Sequence, residues 1–178
     1  MAAEHTAAAA PVREPSHLHY GSIIGQGLLT GLVAGLVLTI YESLASWVLV
    51  QNIFGFIRLA GATIVGEQAL SPEWNLTTAG IIGLVVIAAF SLVAGGLFAL
   101  ILGAIAPLHS NSASIVSAGL AYGLLLWLVV FYVLAPALNW SWLAPNADSF
   151  WQGFLGFTVF YGLVQGLLLA RKGLFTVP

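Results

Sequence analysis

Four long apolar segments alternate with short polar connections along the chain. They cover residues 22–50, 78–106, 114–135 and 150–170, and each has the roughly 20 residues that a helix needs to cross a bilayer. Residues 53–70 are also mostly apolar, but Arg58 and Glu67 leave too short an uncharged run for a span. The pattern predicts an all-α polytopic membrane protein: a four-helix transmembrane bundle with a short re-entrant or interfacial helix after the first span.

The polar ends of the chain complete this predicted organisation. Residues 1–20 are rich in alanine and contain two prolines, and we interpret them as a disordered N-terminal tail. Residues 21–172 form the four-helix transmembrane domain, and residues 173–178 form a C-terminal tail.

The composition changes the picture only by excluding other classes. The 178 residues are 60% hydrophobic and 6% charged, whereas a soluble domain carries about 25% charged residues. The net charge of −2 without a basic patch argues against nucleic acid as a partner. The lipid bilayer is therefore the first partner that the sequence implies.

Small residues recur at every fourth position in the spanning segments, which keeps them on one helical ridge and lets two backbones approach closely. We predict that these ridges are the helix-packing surfaces. Their residues are Gly27, Gly31, Gly35, Ser91, Gly95, Ala99, Gly103, Gly119, Gly123, Gly162 and Gly166.

The ridges also suggest a repeat. The segment from Ser91 to Ala99 is similar to that from Gly162 to Ala170, and Gly27 and Gly31 match Gly119 and Gly123. Two helical hairpins related by duplication would give this pattern, and so would low-complexity Gly/Leu sequence.

Glu42 is the one acid within the first span. A carboxylate in hydrocarbon costs several kcal/mol, so such acids face the bundle interior and often mark ion or proton pathways. Counting turns from the helix ends places Tyr132 and Thr158 at a similar depth, and Arg58 reaches Glu42 if its segment folds back. These four residues form the candidate intramembrane polar site. Glu42 is either a structural acid, protonated or paired with arginine, or an acid that titrates protons or coordinates cations.

A polar stripe on the last span consists of Thr158, Tyr161 and Gln165, which lie within about 60° of each other at 100° per residue. Such a stripe either lines a narrow polar path or supplies hydrogen bonds between helices.

The few charges also predict the orientation. Arg13, Arg171 and Lys172 lie at the two ends of the chain, whereas the connections on the other side hold one arginine against three acids. The positive-inside rule then places both termini in the cytoplasm and the aromatic loop of Trp140 and Trp142 outside.

Catalytic patterns are missing. The chain has no cysteine, no phosphate-binding loop and no histidine in a spanning segment. We expect no enzymatic activity, no cofactor and no metal.

Two stretches resemble a known group of proteins. The segment from Gly61 to Pro72 is the first, and the second runs from Tyr122 to Tyr132 and continues through Ala135-Pro136 and Asn139-Trp-Ser-Trp142. They resemble an uncharacterised family of small bacterial four-helix integral membrane proteins. The resemblance implies the same fold and a bacterial inner-membrane location, but no activity. The relatives carry histidines near the positions of Ile87 and Phe157, which are apolar here.

Two functions are compatible with these observations. The favoured one is a non-catalytic accessory or structural subunit that packs laterally against other membrane proteins or itself, because the small-residue ridges exceed what a lone bundle needs. The alternative is a small proton- or cation-coupled transporter or channel that uses Glu42. Whether Glu42 faces a cavity or a sealed interface discriminates between them.

Overall fold

The all-α bundle is confirmed. The structure, a computed structural model, describes residues 20–144 and 147–172, so the tails expected at residues 1–20 and 173–178 lie outside it except at Tyr20. The described part contains no strand, and besides short 3-10 turns it forms five helices. They are α1 (Tyr20–Val50), α2 (Gly55–Val65), α3 (Leu76–Ala104), α4 (Ser112–Ala137) and α5 (residues 147–171). All except α2 are long and apolar enough to cross a membrane.

Asparagine side chains set the start of two spanning helices. The Oδ1 of Asn75 accepts hydrogen bonds from the backbone N–H groups of Thr77 and Thr78, at 2.9 and 3.2 Å, just where α3 begins. The Oδ1 of Asn111 accepts one from Ser114 N–H at 2.9 Å, at the start of α4. Such caps satisfy donors that the first turn leaves without an intrahelical partner.

The sequence suggested that α4 stops before Pro136, but in the structure the helix continues past this residue. It passes through a π-helical segment, Val129–Leu134, and ends at Ala137. Proline lacks an N–H group and its ring crowds the carbonyl four residues earlier, and the wider π turn accommodates both effects. The helix α5 contains a second π-helical segment, Gly156–Leu163.

The first hairpin pairs α1 with α3 through small residues. A Cβ added at Gly31 would lie 2.6 Å from the Cα of Gly95, and one at Gly27 would lie 2.7 Å from the Gly95 carbonyl oxygen. Gly35 packs directly against the side chain of Ser91. Gly103 differs, because a Cβ there would meet only ordinary contacts at 3.9 Å, so it is not a site of close approach.

The second hairpin pairs α4 with α5 in the same way. A Cβ at Gly119 would lie 2.9 Å from the Cα of Gly166, and one at Gly123 would lie 3.0 Å from the Cα of Gly162. Gly119 contacts the Gly162 carbonyl and Gly166 just as Gly31 contacts the Ser91 carbonyl and Gly95. By sequence, the segment that begins at Ser91 matches the one that begins at Gly162, and Gly27 matches Gly119. If the first match is kept, Gly119 corresponds to Gly31 instead of Gly27, a shift of one helical turn.

The two hairpins join chiefly along α1 and α5, with large side chains filling the centre. The rings of Phe98 and Tyr122 stack with centroids 4.9 Å apart, and Tyr161 is fully buried. The two helices of each hairpin, α1 with α3 and α4 with α5, run antiparallel, and a short connection joins the end of α3 to the start of α4. The connections from α1 to α3 and from α4 to α5 therefore lie at the same end of the bundle. We call it the long-loop end, and the end with the connection from α3 to α4 the short-loop end.

The short helix α2 lies alongside the spanning helices at the long-loop end. Gly83 contacts the backbone of Ile57, and a Cβ at Gly61 would lie 3.0 Å from the Ala79 carbonyl oxygen, so α2 runs antiparallel to α3. Gly83 is seven residues inside α3, which is about 10 Å along the axis. The chain thus turns back after α1 and places the beginning of α2 beside Ser46, a re-entrant arrangement.

Candidate binding cavity around Glu42

A cavity of about 560 Å³ lies between the helices at the long-loop end. All five helices and the turn before α5 contribute to its wall, which is mostly aliphatic and aromatic. The aromatic side chains are Phe56, Phe90, Phe131, Trp140, Trp142 and Phe157. Its volume falls within the range of about 300–1,000 Å³ that is typical of sites for small molecules.

Glu42 lies in the wall of this cavity and is only 3% exposed. Its Oε2 accepts a hydrogen bond of 2.6 Å from the side-chain amide of Gln152, which comes from α5. The same amide lies 3.4 Å from the hydroxyl of Ser46. Gly156 faces the carboxylate, whose Cδ would be 3.2 Å from a Cβ at that position, so only glycine leaves room for Glu42 there.

The carboxylate retains unused acceptor capacity. Two carboxylate oxygens offer about four lone-pair positions, and within the described residues the amide of Gln152 is the side-chain donor that meets them. A ligand that brings a positive charge or N–H donors into the cavity would therefore find a buried, oriented acceptor.

Arg58 lines the same cavity but does not pair with Glu42. Its Nε donates a hydrogen bond of 3.0 Å to the carbonyl of Ala69, and its Nη2 donates to the carbonyl of Ser71. The guanidinium thereby ties the 3-10 turn Glu67–Leu70 to α2. The hypothesis of an arginine-paired Glu42 is wrong for this structure, because Gln152 occupies the partner position.

The other two predicted partners are not brought to Glu42. Tyr132 is 48% exposed, packs edge-to-face on Trp127 with centroids 5.3 Å apart, and lines a second cavity of about 550 Å³. Thr158 lines neither cavity, and its buried hydroxyl has no hydrogen-bond partner among the residues that the structure describes. Of the four predicted site residues, Glu42 and Arg58 alone share the main cavity.

Sequence reasoning missed two residues of the site. Gln152 is an amide in an otherwise apolar, aromatic start of the last span, and that isolation was the available signal. Trp142 was expected in a loop outside the bundle, but it is partly buried and lines the cavity, and its indole N–H is buried without a hydrogen-bond partner among the described residues. The aromatic loop thus closes one side of the cavity.

The fold and this site define the class of the protein: an integral membrane helix bundle with a largely apolar cavity between its helices, lined by the buried carboxylate of Glu42. No group of three or more His, Cys, Asp and Glu residues that could hold a metal ion occurs in the part of the chain that the structure describes.

No protein-family model matches the chain, and no curated protein or solved structure proved similar to it. The family resemblance therefore stays a prediction, and any functional conclusion rests on the site itself.

Proposed function

We propose that the chain is a small membrane-embedded binding protein for lipophilic organic cations. A cation and a proton bind to Glu42 in alternation, and this exchange couples the transport of the cation to that of the proton. The observation that carries the proposal is the buried carboxylate of Glu42 in the wall of an aromatic cavity. Acids inside a membrane bundle are costly and commonly serve ion or proton pathways.

The cavity wall favours an organic cation over a metal ion. Aromatic faces attract cations through the ring quadrupole, by about 0.5–2 kcal/mol per contact, and they also accept the apolar parts of such a ligand. A hard metal ion would need several oxygen ligands, whereas Glu42 is the one carboxylate among the cavity-lining residues that the structure describes.

Arg58 lines the same cavity, and its positive charge would repel a cationic ligand. Its hydrogen bonds, however, direct the guanidinium away from Glu42. Its Nε and Nη2 are directed at the carbonyls of Ala69 and Ser71, in the connection beyond α2. These contacts hold its charge toward the long-loop end, while Glu42 lies deeper, two turns before the end of α1 at Val50.

The accessory-subunit hypothesis was based mainly on an apparent excess of small-residue ridges. The ridges that seemed in excess are used inside the bundle, where Gly31 meets Gly95 and Gly119 meets Gly166. Lateral association with other membrane proteins or a second copy stays a prediction, and the absence of catalysis does as well.

We also propose that the protein resides in a bacterial inner membrane with both termini in the cytoplasm, which places the cavity in the outer half of the bilayer. The support is the positive-inside rule applied to Arg171, Lys172 and Arg13.

This orientation can be tested with single cysteines, because the chain has none of its own. Ser110 and Ser141 are both exposed and lie at opposite ends of the bundle. An impermeant thiol reagent added to intact cells should label Ser141→Cys and not Ser110→Cys. The reverse result would invert the proposed orientation, and cell lysis should expose both sites as a control.

Binding itself can be tested with tetraphenylphosphonium on the purified, detergent-solubilised protein. We expect Glu42→Gln to weaken binding by at least tenfold, because it removes the counter-charge while keeping the shape and the contact with Gln152. Glu67→Gln is the matched control: it removes an exposed acid outside the cavity and should change the affinity less than twofold. Protons compete for Glu42, so lowering the pH should weaken binding to the unmodified protein.

Neutral triphenylphosphine oxide serves as a further probe of similar shape. If it binds as tightly as the phosphonium, or if Glu42→Gln binds the cation like the unmodified protein, Glu42 is not a counter-ion and the proposal fails.

A further inference from the structure

A second cavity, of about 550 Å³, adjoins the main cavity around Glu42. Three residues line both cavities: Phe131 of α4, and Trp140 and Ala144 of the connection to α5. The two cavities are therefore neighbours, and these three residues form the border between them. The site at Glu42 makes no use of the second cavity.

The second cavity lies at the surface of the long-loop end. It is formed by the last turns of α4 and by the connection that follows. Tyr132, Asn139 and Ser141 line this cavity and not the main one, and all three are exposed. Tyrosine and tryptophan rings favour the boundary between hydrocarbon and headgroups. A molecule dissolved in that boundary can therefore reach the second cavity directly.

Hydrogen bonds fix the backbone of the border. The N–H of Trp140 donates to the Ala135 carbonyl at 2.8 Å. The N–H of Leu143 donates to the Trp140 carbonyl at 3.0 Å, at the 3-10 turn Ser141–Leu143. Side-chain rotamers change far faster than a hydrogen-bonded backbone rearranges. The half-buried indole of Trp140 is therefore the part of the border that can move aside most readily.

The chemistry of the second cavity fits the same class of ligand as the main cavity. Its wall includes the aromatic residues Phe131, Tyr132 and Trp140, and aromatic faces attract cations. Asn139 and Ser141 add neutral polar groups. None of the described residues that line this cavity carries a formal charge at neutral pH, so nothing in its wall repels a cation.

Another exposed part of the main cavity is less suited to admit a cation. It is lined by Val50 and Asn52, at the end of α1. Arg58 lines the same cavity, and its contacts with the Ala69 and Ser71 carbonyls hold its positive charge toward this end. Like charges repel, whereas Arg58 does not line the second cavity.

We propose that the second cavity is the entry site for the lipophilic organic cation, an inference that rests on the proposed function. The cation binds first beside Tyr132 and Trp140, and it then passes Trp140 into the main cavity, where Glu42 binds it. The second cavity lies on the path and is not part of the final site. An obstacle on a path slows arrival and departure by the same factor, so blocking the second cavity changes both rate constants and leaves their ratio, the Kd, unchanged.

A reversible plug at Ser141 tests this role, because the chain has no cysteine of its own. Ser141→Cys places a thiol at the second cavity, and benzyl methanethiosulfonate then attaches a benzyl group through a disulfide. Stopped-flow tryptophan fluorescence of the detergent-solubilised protein follows tetraphenylphosphonium binding, since Trp140 and Trp142 line the main cavity. We expect the benzyl group to slow association and dissociation at least tenfold and to leave the Kd within twofold. Dithiothreitol should restore both rates.

Leu138→Cys, treated with the same reagent, is the matched control. Leu138 lies in the same connection and is exposed, but it lines neither cavity. Its benzyl group should change neither rate by more than twofold.

The outcomes separate this inference from the proposed function. Unchanged rates in modified Ser141→Cys, or equal slowing in modified Leu138→Cys, overturn the entry site and leave binding at Glu42 standing. A Kd that changes more than twofold in modified Ser141→Cys overturns it as well, because the second cavity would then belong to the final site. If the original chain does not bind the phosphonium, the proposed function itself fails.

Discussion

Replacing Gly31 with alanine should separate α1 from α3 and destabilise the whole bundle, whereas the same change at Gly25 should not. A Cβ at Gly31 would lie 2.6 Å from the Cα and 3.0 Å from the N of Gly95, and backbone atoms cannot move aside as a flexible side chain can. Overpacking typically costs about 1–3 kcal/mol, and we expect the upper part of that range. Gly31→Leu should abolish the pairing.

Thermal unfolding in detergent, followed by circular dichroism, measures the effect. A Cβ at Gly25 meets nothing within 4 Å, so Gly25→Ala isolates the gain of helix propensity, about 0.5–1 kcal/mol. Leu32→Ala, on the half-exposed side of α1, is a second control. Equal melting temperatures for Gly31→Ala and Gly25→Ala would show that the close approach of α1 and α3 is not needed for stability.

The small-residue ridges illustrate what sequence reasoning can recover. A residue such as Gly31 in a spanning helix has few uses besides close approach, and every fourth position remains on one ridge as long as the helix is regular. The prediction required only local information, and α1 and α3 are regular α-helices throughout. The spans follow for the same reason, because apolar length is a local property.

The partners of Glu42 required information that the helical wheel does not contain. The positions of Tyr132 and Thr158 were deduced at 100° per residue, but both lie in π-helical segments, where residues per turn increase and the ridge shifts. Tyr132 consequently lies on a half-exposed face, and Thr158 packs beside Gly123. Residue propensities do not predict a π turn, and only Pro136, in α4, indicated a local irregularity.

Gln152 could not be assigned to Glu42 because 110 residues separate them and the contact depends on how the two hairpins dock. It depends on Gly156 as well, since a side chain there would collide with the carboxylate. This glycine breaks the four-residue spacing of the α5 ridge at Gly162 and Gly166, so the ridge pattern did not include it. The packing ridges were therefore predictable from sequence, and the site between them was not.

The position of the cavity follows from the same packing. Small residues bring the helices together along the short-loop half, from Gly27 to Gly35 and from Gly119 to Gly123. Toward the long-loop end, α2 is inserted beside α1 and α3, and the large rings of Phe90 and Phe131 face the space between the hairpins. Residues of α2 therefore form part of the cavity wall.

A substitution at Gly83 should also have a large effect, on ligand binding, because Gly83 holds α2 against α3 and α2 forms part of the cavity wall. A Cβ at Gly83 would lie 2.8 Å from the carbonyl carbon and 2.9 Å from the Cγ2 of Ile57, and closer still to the carbonyl oxygen. Gly83→Leu should therefore push α2 away from α3 and weaken tetraphenylphosphonium binding at least tenfold. The contacts of α1 with α3 at Gly31 lie farther along the helix, so the bundle should remain helical.

A single cysteine measures the displacement of α2 without relying on the proposed ligand. Ala62 in α2 is 1% exposed, so Ala62→Cys should react slowly with a water-soluble maleimide in the otherwise unmodified chain. Adding Gly83→Leu should accelerate the reaction by about an order of magnitude, because a displaced α2 exposes its buried face. Gly80→Leu is the matched control, since a Cβ there meets nothing within 4 Å. Equal labelling rates in the two double variants would show that α2 is not held through Gly83, and the cavity would then need another wall.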